Sequence, residues 1–261
     1  MALSRKSTHK TKKMYNVAVL IPCYNEAKGI ADVIKKMPYK RAARNRWNLQ
    51  VYVIDNNSTD NTAEVAEQAG AAVLHESKKG KGNAIRTGFW NLPEDTDYVV
   101  MLDGDDTYDS GEVLRMVEPL HNNFCKVVIG SRLNGKRTEH SMNLTSRVGN
   151  WFFTNIVKHT HRVPVTDVLT GYFAWTKDAL DELRPYLKSD GFAIEMEMIT
   201  KMARMNYEIY SVPISYTPRA GESNLQPVSD GARILKMFAS TLRWRPSRRG
   251  ATEAQAHTEQ Y

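Results

Sequence analysis

The stretch Val99-Val100-Met101-Leu102-Asp103-Gly104-Asp105-Asp106-Thr107-Tyr108-Asp109 decides the fold. Four apolar residues with strong strand preference run straight into three clustered carboxylates. A continuous apolar run closed by a polar turn is the signature of a strand buried on both faces. Like charges this close repel, and burial raises the cost. An acidic surface turn is one reading of Asp103, Asp105 and Asp106. A divalent-cation site at a strand end is the other.

The neighbouring segments repeat the pattern. Asn16 to Ile21 is an apolar run closed by Pro22, and Gln50 to Asp55 is a second. Ala72 to His75, Asp97 to Leu102 and Lys126 to Gly130 read as further strands. Helical stretches are expected over Ala27–Met37, Thr62–Ala69 and Gly82–Trp90, the second behind the turn and cap chemistry of Asn57 to Asp60. Strands alternating with helices predict an α/β fold with a mainly parallel sheet. In such sheets ligands bind outside the carboxyl ends of the strands. Those ends read PCYNE (Pro22 to Glu26), DNNSTDNT (Asp55 to Thr62), KKGKGN (Lys78 to Asn83) and DGDD (Asp103 to Asp106). Four polar strand ends on one edge predict a site.

Composition narrows the class. The chain has 261 residues, 41% of them hydrophobic and 25% charged, which suits one soluble globular domain. No apolar run approaches the roughly 18–20 residues that span a bilayer, and no apolar N-terminal signal is present. Cys23 and Cys125 have no metal-ligand spacing, so a reducing, cytoplasmic setting is expected. The net charge of +7 sits at the ends. Residues 1–13 carry Arg5, Lys6, Lys10, Lys12 and Lys13 without an acid, and residues 243–249 carry Arg243, Arg245, Arg248 and Arg249. Glu253 and Glu259 offset part of this, and residues 14–242 are neutral. Basic arms suit an anionic membrane surface or nucleic acid, or serve as solubilising tails.

Two phosphate motifs fail. Gly80-Lys81-Gly82 lacks the frame of a Walker A loop, and Ile85 stands where a dinucleotide fingerprint needs a small residue. What remains is a flexible cationic loop able to approach a diphosphate. DGDDT also matches the opening of aspartate-nucleophile phosphatases, but that class has no use for PCYNE after the first strand.

In motif order from about residue 15 to 242, the chain resembles the family 2 glycosyltransferases of GT-A fold, a Rossmann-like architecture. PCYNE, IDNNSTDNT, GKGNA and LDGDD carry this resemblance. Gly130-Ser131-Arg132, Thr166 to Phe173, Gly191 to Met198 and Val212 to Leu225 are similar to the polyprenyl-phosphate sugar synthases, which include the dolichyl-phosphate mannose and glucose synthases. The resemblance implies roles. Pro22, Tyr24, Glu26, Ile54, Asp55 and Asn56 would line the nucleotide, with Lys81 beside it. Asp103 and Gly104 would meet ribose and diphosphate, Asp105 with Asp103 would hold Mg²⁺ or Mn²⁺, and Arg132, Arg147 and Arg219 would hold phosphates. Asp103, Asp105, Arg132 and Arg147 would therefore carry catalysis. Asn56 stands where the family usually has a second Asp, and Asn224 where the mannose synthases often have Lys. Asn224, with DGD in place of DAD, favours a UDP-sugar over GDP-mannose.

The expected organisation is a basic arm (1–13) and a glycosyltransferase domain (14–242). That domain divides into a nucleotide-sugar half (14–130), an acceptor half (131–225) and an amphipathic helix (226–242). A polar tail (243–261) follows. Two segments bear on a lipid acceptor. Residues 144–158 put Val148, Trp151, Phe152, Ile156 and Val157 on one stripe, with Arg147, Asn150, Thr154 and Lys158 opposite. Residues 230–244 group Ile234, Leu235, Phe238 and Leu242. Such helices lie in a membrane interface or pack on the sheet. The expected reaction is inverting hexose transfer from a nucleotide sugar to a polyprenyl phosphate by a peripheral enzyme at the cytoplasmic membrane face. A membrane-embedded partner stays open, and no nucleic-acid partner is expected. A soluble acceptor, and a non-catalytic sugar-nucleotide or membrane-binding module, are the alternatives.

Overall fold

The computed structural model describes residues 13–136, 138, 142, 144–219 and 226–247. The rest of the basic arm, the segment holding Asn224, and Arg248, Arg249 and the tail beyond them lie outside the described residues.

Seven strands form one sheet: β1 (Tyr15–Cys23), β2 (Trp47–Asp55), β3 (Ala72–His75), β4 (Tyr98–Met101), β5 (Val127–Ser131), β6 (Phe173–Thr176) and β7 (Ile209–Pro213). Their order is β3-β2-β1-β4-β6-β5-β7. All run parallel except β6, which pairs antiparallel with both β4 and β5. β6 comes from the expected acceptor half and completes the sheet of the nucleotide half, so the two share one core.

Strand alternation divides the core into two layers. Val17, Val19 and Ile21 of β1 and Val100 of β4 point into one layer. Leu20, Val99 and Met101 point into the other. The first layer is closed by α1 (Ile30–Lys35), α2 (Tyr39–Arg44), α3 (Thr62–Gln68) and α5 (Val113–His121). The second is closed by α4 (Lys81–Trp90), α6 (Leu144–His161), α7 (Lys177–Leu183), α8 (Ile194–Arg204) and α9 (Pro227–Thr241). Burial on both faces explains why the central strands read as unbroken apolar runs. The long helix expected over Ala27–Met37 is shorter, because its first turns belong to the loop after β1. Pro38 follows directly, and α2 is a separate helix.

The two amphipathic helices sit differently from expectation. α9 buries Ile234 and Phe238 in the second layer, so half of its apolar face is covered by protein. α6 is turned over. Its buried residues are Asn150, Thr154 and Val157, while Leu144 (73% exposed), Val148 (56%), Trp151 (61%) and Phe152 (48%) face outward. The polar residues are inward because they have work there. Asn150 Nδ2 donates to Asp167 Oδ1 at 2.6 Å, Asn150 Oδ1 accepts from Leu169 N, and Thr154 Oγ1 accepts from Val168 N.

Candidate active site

The carboxyl ends of β1, β2 and β4 open on one cleft of about 230 Å³. Pro22, Tyr24, Glu26, Asn56, Lys81, Asp103, Gly104, Asp105 and Arg219 line it, as the sequence suggests, together with Lys79, Gly80 and Phe192. The loops after β1 and β2 are laced together. Asn25 N donates to Ser58 Oγ, Glu26 N to Thr62 Oγ1, and Thr59 N to Asn25 Oδ1.

Asn56 has a local reason to be an amide. Its Oδ1 accepts from Gly80 N and its Nδ2 donates to Lys78 O, each at 2.7 Å. An aspartate could accept but not donate. Asn56 therefore clamps the cationic loop against the end of β2. Gly80 turns that loop with φ 131°, where a Cβ would lie 2.2 Å from Asp190 O. Beyond it, Lys79 Nζ reaches Tyr24 Oη at 2.9 Å.

The three carboxylates of the DGDD turn separate. Asp106, with φ 59°, swings away from the cleft to pair with Lys36. Asp103 and Asp105 stay on the cleft. Asp103 Oδ1 meets Lys81 Nζ at 2.7 Å, and the same ammonium meets Glu195 Oε1 at 2.7 Å. Burial alone would lower the Lys81 ammonium, but the two carboxylates outweigh it and hold it above its ordinary value. Asp105 Oδ1 is taken by Thr107 N and Oγ1, and its Oδ2 lies 3.2 Å from Arg219 Nη1. Arg219 Nη2 pairs with Glu26. Burial, then repulsion from Asp103, raises Asp105; burial pushes Glu26 up to about 7 against the pull of Arg219.

This donor set fits a hard dication. Among the described residues no three or more His, Cys, Asp or Glu side chains form a cage. Mg²⁺ commonly takes one or two carboxylates and fills its shell with substrate phosphates and water. Asp105 and Asp103, mutually repelled beside an open cleft, are the carboxylates that could supply this.

Four expected site residues are elsewhere. Ile54 is fully buried and packs under Gly88, because alternation along β2 turns it into the second layer. Asp55 is buried behind the cleft, where its Oδ2 accepts from Ser58 N and lies 3.6 Å from His75 Nδ1. Arg132 spends its fork on Asp167, with Nε–Oδ2 and Nη2–Oδ1 both 2.8 Å, and gives Nη2 also to Leu169 O. It is a buried brace rather than a free phosphate ligand. Arg147 lies in a second groove, of about 490 Å³, with Val148, Trp151 and Lys158; among the described residues no carboxylate lines it. The segment after Asp167 joins brace and cleft: Gly171 packs so closely on Asp103 that a Cβ would meet Oδ2 at 2.3 Å.

Glu195 and Asp167 were not foreseen as site residues. Their signal in the sequence is an acid inside an apolar run, in IEMEM and VTDVL, where only a fixed partner keeps a carboxylate buried.

The pattern of Glycosyl transferase family 2 matches residues 18–184. The chain belongs to that family. As a family 2 glycosyltransferase it is 38% identical over 221 residues to "Glycosyltransferase AglJ" of Haloferax volcanii, covering 84% of this chain and 69% of that protein. It is 28% identical to a "Dolichyl-phosphate hexose transferase" of the same organism, covering 85% and 91%. Among solved structures, glucosyl-3-phosphoglycerate synthase from Mycobacterium tuberculosis in complex with UDP matches with a TM-score of 0.68 at 19% identity, over 90% of this chain and 82% of that one. That likeness shows the GT-A fold. The enzyme class and the mainly parallel sheet expected from sequence are therefore both established.

Proposed function

We propose that this glycosyltransferase transfers a hexose, with inversion, from a nucleotide diphosphate sugar to a polyprenyl phosphate at a membrane surface. The observation that carries the acceptor class is the outward part of α6. An apolar stripe of Leu144, Val148, Trp151 and Phe152 faces outward beside the cations Arg147 and Lys158. Exposed apolar stripes flanked by cations suit an anionic lipid interface. No helix among the described residues is long and apolar enough to cross a membrane. Exposed Arg243 and Arg245 just beyond α9 add to the attraction. The 28% identical relative named for a dolichyl-phosphate substrate supports the same reading.

In this reading the nucleotide lies along Pro22, Tyr24, Glu26 and Asn56, with the diphosphate at Asp103, Gly104 and Asp105. Mg²⁺ or Mn²⁺, held by Asp105 and Asp103, supplies charge stabilisation of the departing diphosphate. Lys81 and Arg219 lie close enough to add positive charge on either side of the same carboxylates. A phosphate acceptor is already ionised at neutral pH, so its attack needs positioning rather than a strong base. A fold neighbour solved with Mn²⁺, UDP-glucose and phosphoglyceric acid favours a second reading, in which the acceptor is a small soluble phosphate.

A panel separates them. UDP-glucose, UDP-N-acetylglucosamine and GDP-mannose are incubated with Mg²⁺ or Mn²⁺ and either a short polyprenyl phosphate or 3-phosphoglycerate. The proposal expects a glycosylated lipid phosphate, preferentially from a UDP-sugar. Product on phosphoglycerate alone would overturn the lipid acceptor.

A further inference from the structure

Two residues in the quoted motifs have no role in the chemistry above: Tyr108, near the end of DGDDTYD, and Gly171, in the stretch Thr166 to Phe173. They are 63 residues apart in the chain and meet at one hydrogen bond, in which Gly171 N donates to Tyr108 Oη at 2.7 Å. Tyr108 is 2% exposed. Its ring packs edge-on against Tyr172 and Tyr216, with centroids 5.5 and 5.2 Å away. A buried tyrosine hydroxyl is kept where it finds a partner, and here the partner is a backbone amide.

The backbone on either side of Gly171 is pinned. Arg132 and Asn150 hold Asp167. Val168 N donates to Thr154 Oγ1, Leu169 N donates to Asn150 Oδ1, and Leu169 O accepts from Arg132. Past the glycine, Tyr172 N donates to Thr170 Oγ1 and Tyr172 O accepts from Gly130 N. Moving this segment means breaking several buried hydrogen bonds, each costly to leave unmade.

Asp103 lies against that fixed backbone. A Cβ at residue 171 would stand 2.3 Å from Asp103 Oδ2, 2.8 Å from its Cγ and 2.9 Å from its Oδ1, and these are its three nearest atoms. Gly171 does not adopt a positive φ, so its backbone conformation does not call for glycine; the carboxylate does. From another side Lys81 Nζ meets Asp103 Oδ1 at 2.7 Å. The carboxylate is therefore held between an ammonium and a bare stretch of backbone, on the wall of the cleft.

We infer that Tyr108 and Gly171 are positioning residues for the dication. Tyr108 pins Gly171, and Gly171, by carrying no side chain, sets where the Asp103 carboxylate stands beside Asp105. This rests on the metal-assisted nucleotide-sugar reading above and adds the support behind its metal ligands. Groups behind a metal's ligands orient them, and losing one commonly costs about 10- to 100-fold in metal affinity.

The test is Mn²⁺ binding to the full-length protein in the presence of UDP and, separately, GDP. It is read as loss of the free Mn²⁺ signal in electron paramagnetic resonance, with melting temperatures taken without metal. In Gly171→Ala the pinned backbone does not retreat, so the new methyl displaces the Asp103 carboxylate. Mn²⁺ affinity should fall about 10- to 100-fold, while the metal-free melting temperature stays within about 4 °C of wild type. Tyr108→Phe keeps the ring and removes one oxygen. It should weaken Mn²⁺ binding by about tenfold, and it carries the test alone if Gly171→Ala does not fold. Wild-type Mn²⁺ affinity in either folded variant would overturn the inference, whatever its melting temperature, and the contact would then serve packing alone. If wild type takes up no Mn²⁺ with either nucleotide, the nucleotide-sugar reading itself falls, and this inference with it.

Discussion

The cleft at the ends of β1, β2 and β4 and the outer face of α6 are both rich in cations, and they hold them in opposite ways. In the cleft two cations are each shared by two acids: Lys81 by Asp103 and Glu195, Arg219 by Asp105 and Glu26. Along α6, Arg147 and Lys158 border a groove that no acid lines among the described residues, next to exposed Val148 and Trp151. The first arrangement is a preorganised set of opposite charges, ready to exchange partners when a ligand brings its own. The second, among the described residues, sets cations beside apolar side chains without an acid between them, a surface suited to an anion and an apolar chain together. Chemistry and attachment should therefore be separable by mutation.

The largest expected effect is on the cleft. Asp105→Ala removes the carboxylate whose free oxygen faces Arg219 and the proposed dication. Turnover should fall by at least ~10²-fold, the scale of losing a preorganised charge-stabilising group. Vesicle binding should not change. Near-native turnover of this variant, or of wild type in excess chelator, would remove Asp105 from the chemistry.

Much of this cleft was legible because strand ends are marked twice, by apolar runs and by the polar turns that close them. What failed were statements about direction. Ile54 stands beside Asp55 in the motif, but alternation sends neighbouring side chains to opposite faces. Arg132 follows β5 where a phosphate ligand was expected, and nothing local shows that Asp167, 35 residues later, occupies its fork. Periodicity grouped the residues of α9, but it split wrongly on α6, where Val157 is buried with Asn150 and Thr154 while Arg147 and Lys158 share the exposed side with Val148 and Trp151. A stripe also says which residues share a face, not which face is inward. The second layer covers half of α9's stripe, whereas the bonds of Asn150 and Thr154 to the 167–169 segment roll α6 the other way. Glu195 was missed for the same kind of reason, since its partner Lys81 lies more than a hundred residues away in sequence.

The α6 face gives the second prediction. Arg147→Gln with Lys158→Gln should weaken binding to anionic vesicles at low salt by about tenfold or more, since each basic residue near such a surface contributes ~1 kcal/mol. Trp151→Ser should weaken it further, and binding of UDP with Mn²⁺ should stay as in wild type. Co-sedimentation across a salt series measures this. Equal sedimentation of wild type and variants would move attachment to Arg243 and Arg245, or to a partner.

The smallest effect belongs to Glu26, and its sign follows from burial. The folded protein holds this carboxyl at about 7, well above its ordinary value, chiefly because burial disfavours the charge, with Asp105 and Asp103 adding to the effect while Arg219 opposes it. A group whose folded value is raised binds its proton more tightly in the folded than in the unfolded state. Its contribution to stability is fully present below the unfolded value, near 4.5, and is lost as pH rises through about 7. Other groups titrate in the same window, so the measurement has to be a difference. Glu26→Gln resembles the protonated acid and cannot titrate. Relative to wild type, its melting temperature without metal should be similar at pH 5 and should gain on wild type towards pH 8. Added Mn²⁺ and UDP should narrow that gap, because positive charge near Asp105 and Asp103 relieves the repulsion that Glu26 feels. A constant difference between the two proteins from pH 5 to 8 would mean that Glu26 keeps an ordinary carboxylate value, with Arg219 fully offsetting its burial. The cleft would then be electrostatically balanced before any ligand arrives.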